Sequence, residues 1–231
     1  IIYGLTISYS VTVNEQTLDN WKLLMTDDDG YAYMIYGDLM PNAAIPQAVM
    51  ENEHINKSGT YIVYSTTSRA DLIHSMSNSE NWSSLITQNL RLSSEGVGKT
   101  VIATGGATVT QIKKSWNDQY PLEPITVNGN ETDGWPNLQD LVDKEAYLQD
   151  EEDNMYFPRK TIFVDGSNEC RGYWLASYYN QDSFHVMMIY NIGSLNDGSY
   201  NYAYGAFRPV IKIPSSILEM NEDGTSCDIK I

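Results

Sequence analysis

The chain has 231 residues, with 30 acidic side chains against 14 lysines and arginines, and its formal net charge is −16 at pH 7. A surface this acidic repels phosphate backbones and anionic lipid headgroups, which disfavours nucleic-acid binding and peripheral membrane binding. The length fits one domain spanning residues 1–231, and no apolar run approaches the roughly 20 residues that cross a bilayer. We therefore expect any membrane anchor or signal to lie outside these residues.

The N-terminal third predicts β-structure. Residues 7–13 alternate between apolar and polar with period two, and residues 21–25 and 31–36 form two short apolar strands. The Asp-Gly pair that ends residues 27–30 predicts a hairpin turn between those two strands, because it tolerates positive φ. A calcium loop is the alternative for this acidic turn, but no further acidic residue follows at the spacing of an EF-hand.

Two amphipathic helices are predicted in the middle of the chain. The first follows residue 79, and its apolar stripe consists of Trp82, Leu85, Ile86 and Leu90. The second begins at Thr108, which has capping-box spacing to Gln111; its buried face consists of Val109, Ile112 and Trp116. Between the helices, GVGKT at residues 96–100 resembles a phosphate-binding loop. Because Ser93 stands where that motif needs glycine, a turn before a strand at residues 100–103 is predicted instead.

The C-terminal half begins with acidic residues 129–153, where a short helix at 138–148 and a solvated run at 150–153 are predicted. Strands are then predicted at residues 161–164, 172–177, 184–190 and, as the last strand, 207–213. Pro209 lacks a backbone donor, which predicts an edge position or a bulge in that last strand.

Motifs for catalysis and metal binding are sparse. Nucleophilic catalysis needs a base, and the histidines are His54 and His74, both predicted on the surface, and His185, predicted on a binding face. The tripeptide at residues 116–118 (WND) matches the one by which calcium-dependent C-type lectins hold sugar, but the upstream Glu-Pro-Asn or Gln-Pro-Asp loop is missing. No cofactor and no metal is therefore predicted.

Two cysteines, Cys170 and Cys227, leave a disulfide open as a possibility. A bond between them would close a loop of roughly 60 residues and contribute a few kcal/mol, but cysteine count alone does not distinguish it from two buried thiols. Metal binding by this pair is not expected, since no CxxC and no histidine cluster accompanies it.

The stretch between residues 173 and 211 is the most informative for function. Its inner part, residues 178–204, contains six tyrosines among Asn, Ser, Gly and Asp. Tyrosine offers a large contact area with few rotatable bonds, while Ser, Gly and Asn adapt their hydrogen bonds, a composition typical of antibody-like binding surfaces. A recognition surface is the first interpretation; a polar hairpin surface without a ligand is the alternative.

Two motifs carry a family resemblance. GYWLAS at residues 172–177, followed by YGAFRPVI at residues 204–211, resembles the frame of C-type-lectin-fold surface proteins from Gram-positive gut bacteria and their phages. These include variable proteins diversified by retroelements, some of them behind a pilin-like anchor. Further pieces at residues 21–23, 58–61, 81–83 and 103–108 agree. One residue more than the commoner Gly-Val-Arg separates Gly205 from Arg208, which leaves the position of Arg208 open.

The resemblance implies an α+β, C-type-lectin-like fold, with two helices on small antiparallel sheets and two framing strands that hold a ligand-contacting segment. Trp174, Leu175, Phe207 and Val210 would be scaffold, and Arg208 would pin the frame through a carboxylate or backbone carbonyls. The positions that fall where the family varies are Tyr178, Tyr179, Asn180, Asp182, His185, Met187, Tyr190, Asn191, Ser194, Asn196, Tyr200 and Tyr202. Tyr, Ser, Asp and His are among the residues reached from an adenine-rich asparagine codon by changing its adenines.

The implied function is non-catalytic binding of an unknown protein or glycan, as a receptor or adhesin displayed outside the cell on a cell surface or a phage particle. The fold also underlies formylglycine-generating enzymes, but these use a closely spaced cysteine pair, whereas Cys170 and Cys227 are far apart in the sequence. A structural pilin or fibre subunit, whose tyrosine-rich surface packs against copies of itself, is a third interpretation.

Overall fold

The computed structural model describes residues 4–50, 55–58, 61–64, 69–119, 126–127, 130–131, 172–178, 185–190, 195–199 and 205–231. The strands are β1 (Thr6–Ser8), β2 (Val11–Val13), β3 (Gln16–Leu18), β4 (Trp21–Thr26), β5 (Tyr31–Tyr36), β6 (Ile55–Ser58), β7 (Tyr61–Tyr64), β8 (Ile102–Thr104), β9 (Thr126–Val127), β10 (Asn130–Glu131), β11 (Gly172–Tyr178), β12 (His185–Tyr190), β13 (Leu195–Ser199), β14 (Gly205–Ala206), β15 (Val210–Pro214), β16 (Leu218–Met220) and β17 (Ser226–Ile229). The helices are α1 (Gln47–Met50), α2 (Arg69–Ser77), α3 (Gln88–Glu95) and α4 (Val109–Gln119), with 3-10 helices at Asn42–Ala44, Ser79–Leu85 and Ser215–Ile217. Helices and mainly antiparallel sheets occur together, which confirms the α+β class.

A seven-stranded sheet in the order β16-β17-β1-β4-β5-β15-β8 forms one half of the fold. The strand pairs are antiparallel except that β1 runs parallel to β17. The predicted hairpin between β4 and β5 is confirmed: Gly30 has φ +81°, and the Asp27 carboxylate accepts a hydrogen bond of 2.9 Å from the Tyr31 amide. Most side chains of β4 and β5 are buried, so these two strands belong to the core.

Residues 7–13, predicted as one strand, form two. The chain turns at Tyr9, and β2 leaves the seven-stranded sheet to pair with β3. The turn buries the Tyr9 ring at 5.7 Å from the Trp21 ring, and its hydroxyl donates a 2.5 Å hydrogen bond to the Leu85 carbonyl. A distant partner therefore interrupts a pattern that favours a continuous strand.

A four-stranded sheet in the order β13-β12-β11-β14 forms the other half. β11, β12 and β13 are antiparallel neighbours, whereas β14 pairs in parallel with β11. Helix α2 packs against β11 and β12, and α4 packs against β4 and β11. Buried side chains from both sheets belong to one hydrophobic cluster, so the two sheets share a core.

The first predicted helix is wrong as a single element. The structure has a 3-10 helix at Ser79–Leu85, which ends at Ile86, and then α3, whose N-cap Thr87 accepts a 3.2 Å hydrogen bond from the Leu90 amide. The four stripe residues are nevertheless buried. The second predicted helix is confirmed as α4, with both hydrogen bonds of the Thr108–Gln111 capping box, at 3.0 and 3.2 Å.

The predictions for the C-terminal end need two corrections. β15 lies between β5 and β8, not at an edge, and Pro209 precedes it, so its missing donor interrupts no ladder. Residues 207–213 are also not the last strand, because β16 and β17 follow. Cys227 lies on β17 as a free, buried thiol, and Cys170, the other cysteine of the disulfide left open by the sequence, lies outside the described residues.

Several other predicted features lie outside the described residues: the helix at 138–148, the acidic run at 150–153, the strand at 161–164, and His54. His74 is exposed on α2, as predicted. Among the helices that the structure describes, none combines the length and apolarity needed to span a membrane.

Candidate ligand-binding surface

Strand β11, which leads into the tyrosine-rich residues 178–204, is anchored by tryptophan–glycine contacts. Trp174 on β11 is fully buried, and Gly205 on β14 lies so close that a Cβ atom there would stand 2.3 Å from the indole Nε1. A Cβ atom on Gly106 would likewise stand 2.9 Å from the Trp174 carbonyl oxygen. Any side chain at Gly205 would displace the indole, so both glycines are required by close packing.

A second contact of the same kind lies next to the first. Trp82 is fully buried, its indole donates a 2.8 Å hydrogen bond to the Ser75 carbonyl, and its ring lies 5.6 Å edge-on from Phe207. A Cβ atom on Gly105 would stand 2.2 Å from Trp82 Cζ2. Residues from four separate motifs thus pack on one another, and we call them the frame: Trp82, Gly105, Gly106, Trp174, Gly205, Phe207 and Arg208.

Arg208 joins the frame to the seven-stranded sheet. It is 1% exposed, its Nε donates a 2.8 Å hydrogen bond to the Tyr36 carbonyl, and its guanidinium carbon lies 4.7 Å from the centre of the Tyr173 ring. Burial raises the pKa of Tyr173, and the neighbouring guanidinium opposes that rise. The prediction that Arg208 pins the frame is confirmed, with a backbone carbonyl as the partner, and the four predicted scaffold residues are all buried.

A bulge turns β11 away from its neighbour at the point where it leaves the core. Trp174 pairs with Met188 and Tyr178 pairs with Val186, so three residues of β11 oppose the single residue Met187. Within that bulge the Ala176 amide donates to the Ala107 carbonyl at 2.8 Å. The bulged part of β11 is therefore held by the segment that precedes α4, and pairing with β12 resumes at Tyr178.

Ser177 is a positioning residue that the sequence interpretation missed. Its Oγ accepts a 2.9 Å hydrogen bond from the amide of Val109, the first residue of α4. The hydroxyl of Ser177, on β11, thus caps helix α4 next to the capping box of Thr108 and Gln111. A serine near the end of a buried strand is the available sequence signal for such a cap, but only the fold shows which helix it caps.

We expect Ser177→Ala and Thr108→Ala each to lower the free energy of unfolding by about 1 kcal/mol, since each leaves a helix amide without its acceptor. Urea denaturation followed by circular dichroism measures both. Thr110→Ala is the control: this side chain is exposed in the first turn of α4, and a change below about 0.5 kcal/mol is expected. A Ser177→Ala loss no larger than the control would show that Ser177 does not cap the helix.

The strand register brings the ends of three strands, β11, β12 and β13, together at one end of the four-stranded sheet. His185 pairs with Ser199, and Val186 pairs with Tyr178, so Tyr178, His185 and Ser199 lie together; we call this the Tyr178 end. At the opposite end Gly172 pairs with both Tyr190 and Gly205. The two ends are about 17 Å apart, given roughly 3.4 Å per residue along β12.

The predicted ligand residues divide between these two ends. Tyr178 and His185 lie at the Tyr178 end, and Tyr179, Asn180, Asp182, Tyr200 and Tyr202, which adjoin that end in the sequence, lie outside the described residues. Tyr190 lies opposite Gly172, and Asn196 lies opposite Met188 on the outer strand β13. Asn191 and Ser194 also lie outside the described residues.

Met187 is a wrong prediction. It is 1% exposed and its neighbours Val186, Met188 and Ile189 are fully buried, so β12 is covered on both faces. Successive side chains of a strand point to opposite faces, and an alternating ligand-facing side requires one face to remain open. α2 packs against β12, so Met187 belongs to the core.

The acidic turn and the GVGKT segment have structural roles. The Asp27 carboxylate accepts hydrogen bonds from the Tyr31 amide and, at 3.0 Å, from the Tyr33 hydroxyl; burial and this bond raise the pKa of Tyr33 to about 12. Residues 96–98 form the predicted turn, and Lys99 donates at 2.7 Å to the Asp29 carbonyl. The tripeptide at residues 116–118 lies on α4.

Within the residues that the structure describes, no three His, Cys, Asp or Glu side chains lie close enough together to hold a metal ion. No family model matches the chain, and neither a curated protein nor a solved structure matches it.

Proposed function

We propose that this chain is a ligand-binding protein of receptor or adhesin type, with a C-type-lectin-like fold and no catalysis, whose binding surface lies at the Tyr178 end. The observation that carries the proposal is the frame. Residues from four motifs, distant in the sequence, pack on one another and hold β11 up to Ser177. Beyond that point the sequence changes to the Tyr, Asn, Ser and Asp composition of recognition surfaces.

This separation is what a diversifiable binding site requires. Binding loops function best on a rigid scaffold, because substitutions in the loops then leave the core unchanged. The anchoring contacts of Trp174, Ser177 and Arg208 all lie before Tyr178 or after residue 204. Side chains in between would be free to vary except for the buried residues 186–189 of β12, and this agrees with diversification by a retroelement.

We restrict the proposed contact set to one end of the four-stranded sheet. Residues at the Tyr178 end form one group, whereas Tyr190 lies about 17 Å away by strand spacing and Met187 is buried. We therefore propose that the primary contacts are Tyr178, Tyr179, Asn180, Asp182, His185, Tyr200 and Tyr202. The partner would be a protein or a glycan, met outside the cell on a cell surface or a phage particle, with any anchor supplied from beyond these residues.

Randomising the seven primary positions should leave the fold intact and yield binders to an arbitrary protein. We expect selection from a displayed library against lysozyme to give variants with a Kd of about 1 µM or tighter, and melting temperatures within about 3 °C of the parent. The physical reason is that none of the described frame contacts involves these positions. Surface plasmon resonance and calorimetry measure the two quantities.

A matched library at exposed positions of α3 (Gln88, Asn89, Arg91, Leu92 and Glu95) is the control, and it should yield binders rarely. Equal success of both libraries, or unfolding of the first, would contradict the proposal. Size-exclusion chromatography at several concentrations separates it from the fibre-subunit interpretation: a receptor stays monomeric, whereas a subunit that packs on itself grows with concentration.

A further inference from the structure

A second surface lies on the β16 edge of the seven-stranded sheet. β16 is the outermost strand, and it forms a hairpin with β17. The Asn221 amide donates to Ser226 at 2.9 Å and the Lys230 amide donates to Ile217 at 2.8 Å. In an antiparallel strand, successive residues direct their backbone N–H and C=O groups alternately to the two sides of the strand. Ile217 and Asn221 bond inward, toward β17, so Glu219 does so too, and Leu218 and Met220 direct their backbone groups outward, away from β17.

Part of this outward edge has no partner in the described part of the chain. The Leu218 amide donates to the Ser215 carbonyl, which closes the preceding 3-10 helix. The Leu218 carbonyl, the Met220 amide and the Met220 carbonyl remain, and no described strand lies on that side. Three groups in a row are the template that an added β-strand recognises.

An apolar cleft lies beside the same edge. Its volume is ≈ 190 Å³, and it is lined by Leu5, Leu23, Thr26, Ser215, Leu218, Met220 and Cys227. Met220 is 48% exposed at the rim, whereas the Cys227 thiol is buried. A cavity of about 150 Å³ accommodates benzene, so the cleft fits one large aliphatic or aromatic side chain. The residues that offer free backbone groups thus also line the pocket.

The charges around the edge are negative. Glu219, Glu222, Asp223 and Asp228 are exposed on the hairpin, against one exposed lysine, Lys230, which lies 3.6 Å from Glu219. The whole chain carries a net charge of −16. A partner strand with lysine or arginine at its ends would therefore be attracted, and an acidic one repelled.

We propose that β16 binds an extended, cationic segment of another protein as an added strand, with one apolar side chain of that segment in the cleft. A second copy of this chain is disfavoured, because two such edges would bring their exposed acidic side chains together; in the antiparallel register that joins Leu218 to Met220, Glu219 would lie directly opposite Glu219, where like charges destabilise a sheet. This site is separate from the Tyr178 end and does not depend on it.

The test uses the whole chain with the capped peptide Lys-Thr-Leu-Thr-Leu-Thr-Lys, whose leucines lie on one face of a strand. We expect binding with a Kd of about 100 µM and at least roughly tenfold slower hydrogen exchange at the Met220 amide, because that amide gains an acceptor. The Glu219 amide, already bonded inward, should not change. Replacing both leucines by serine, or both lysines by glutamate, should weaken binding about tenfold or more.

Met220→Pro removes the outward donor without disturbing the ladder to β17 and should reduce peptide affinity about tenfold, whereas Met220→Leu should stay within about twofold. Melting curves check that both variants fold, and the peptide series remains decisive if one does not. The proposal is overturned if about 1 mM leucine peptide leaves Met220 exchange unchanged. Protection that grows with protein concentration in the absence of peptide would overturn it in favour of a second copy.

Discussion

Gly105→Ala is expected to lower the free energy of unfolding by about 3 kcal/mol. The new Cβ atom would stand 2.2 Å from Trp82 Cζ2, far inside van der Waals contact. The indole cannot move aside, because it is fully buried, hydrogen-bonded to the Ser75 carbonyl at 2.8 Å and packed edge-on against Phe207. One methyl group at this position therefore strains the centre of the frame.

Gly96→Ala is the matched control for this substitution. Gly96 has φ −60° and ψ −21° at the end of α3, and a Cβ atom there meets nothing closer than the Ser93 carbonyl at 3.5 Å. Alanine should raise stability by about 0.5 kcal/mol, since it restricts the unfolded chain without straining the folded one. Urea denaturation of both variants gives the comparison. Equal effects of the two substitutions would show that the close contact between Gly105 and Trp82 does not exist.

Arg208→Ala should also cost about 3 kcal/mol. The substitution removes the 2.8 Å hydrogen bond to the Tyr36 carbonyl and the contact with the Tyr173 ring, and it leaves a cavity where a buried side chain stood. Arg208→Lys should recover little of this loss, because lysine lacks the planar group that donates along the Tyr36 direction while stacking on Tyr173.

Lys212→Ala separates this effect from the loss of a positive charge. Lys212 lies on the neighbouring strand β15, is half-buried, and has its Nζ 4.1 Å from the centre of the Tyr31 ring. Such a contact contributes less than about 1 kcal/mol at a partly exposed site. Chemical denaturation of both variants at the same ionic strength tests the difference. A similar loss in the two would mean that Arg208 does not pin the frame.

Local patterns were sufficient where a feature depends on neighbours in the sequence. The hairpin between β4 and β5 follows from the Asp-Gly turn, and the start of α4 follows from the spacing of Thr108 and Gln111. Both rest on contacts within a few residues, which a pattern records directly.

The misplaced elements depend on distant partners. The break at Tyr9 exists because its hydroxyl reaches Leu85, 76 residues away. β16 and β17 are three and four residues long, too short for a periodic pattern, and β17 pairs in parallel with β1 at the other end of the chain. No local signal encodes such a pairing, so the sequence predicted no strand after residue 213.

The candidate site shows the same division. Tyrosine density and the two framing motifs predicted the region, and the burial of Trp174, Leu175, Phe207 and Val210 confirms their scaffold role. Met187 was assigned to the contact set because it falls where the resembled family varies, whereas β12 is covered on both faces. The register that separates Tyr190 from Tyr178 arises from strand pairing, which composition does not contain.

In the proposed function, the frame holds the fold while the side chains at the Tyr178 end contact a partner. The most direct test is a crystal structure of a library-selected variant bound to lysozyme. We predict that lysozyme contacts Tyr178, His185 and the residues that adjoin them in the sequence, with frame Cα atoms within about 1 Å of their positions in the free protein. Contacts confined to other surfaces, or tyrosine rings of residues 178–204 enclosed in the core, would contradict the claim.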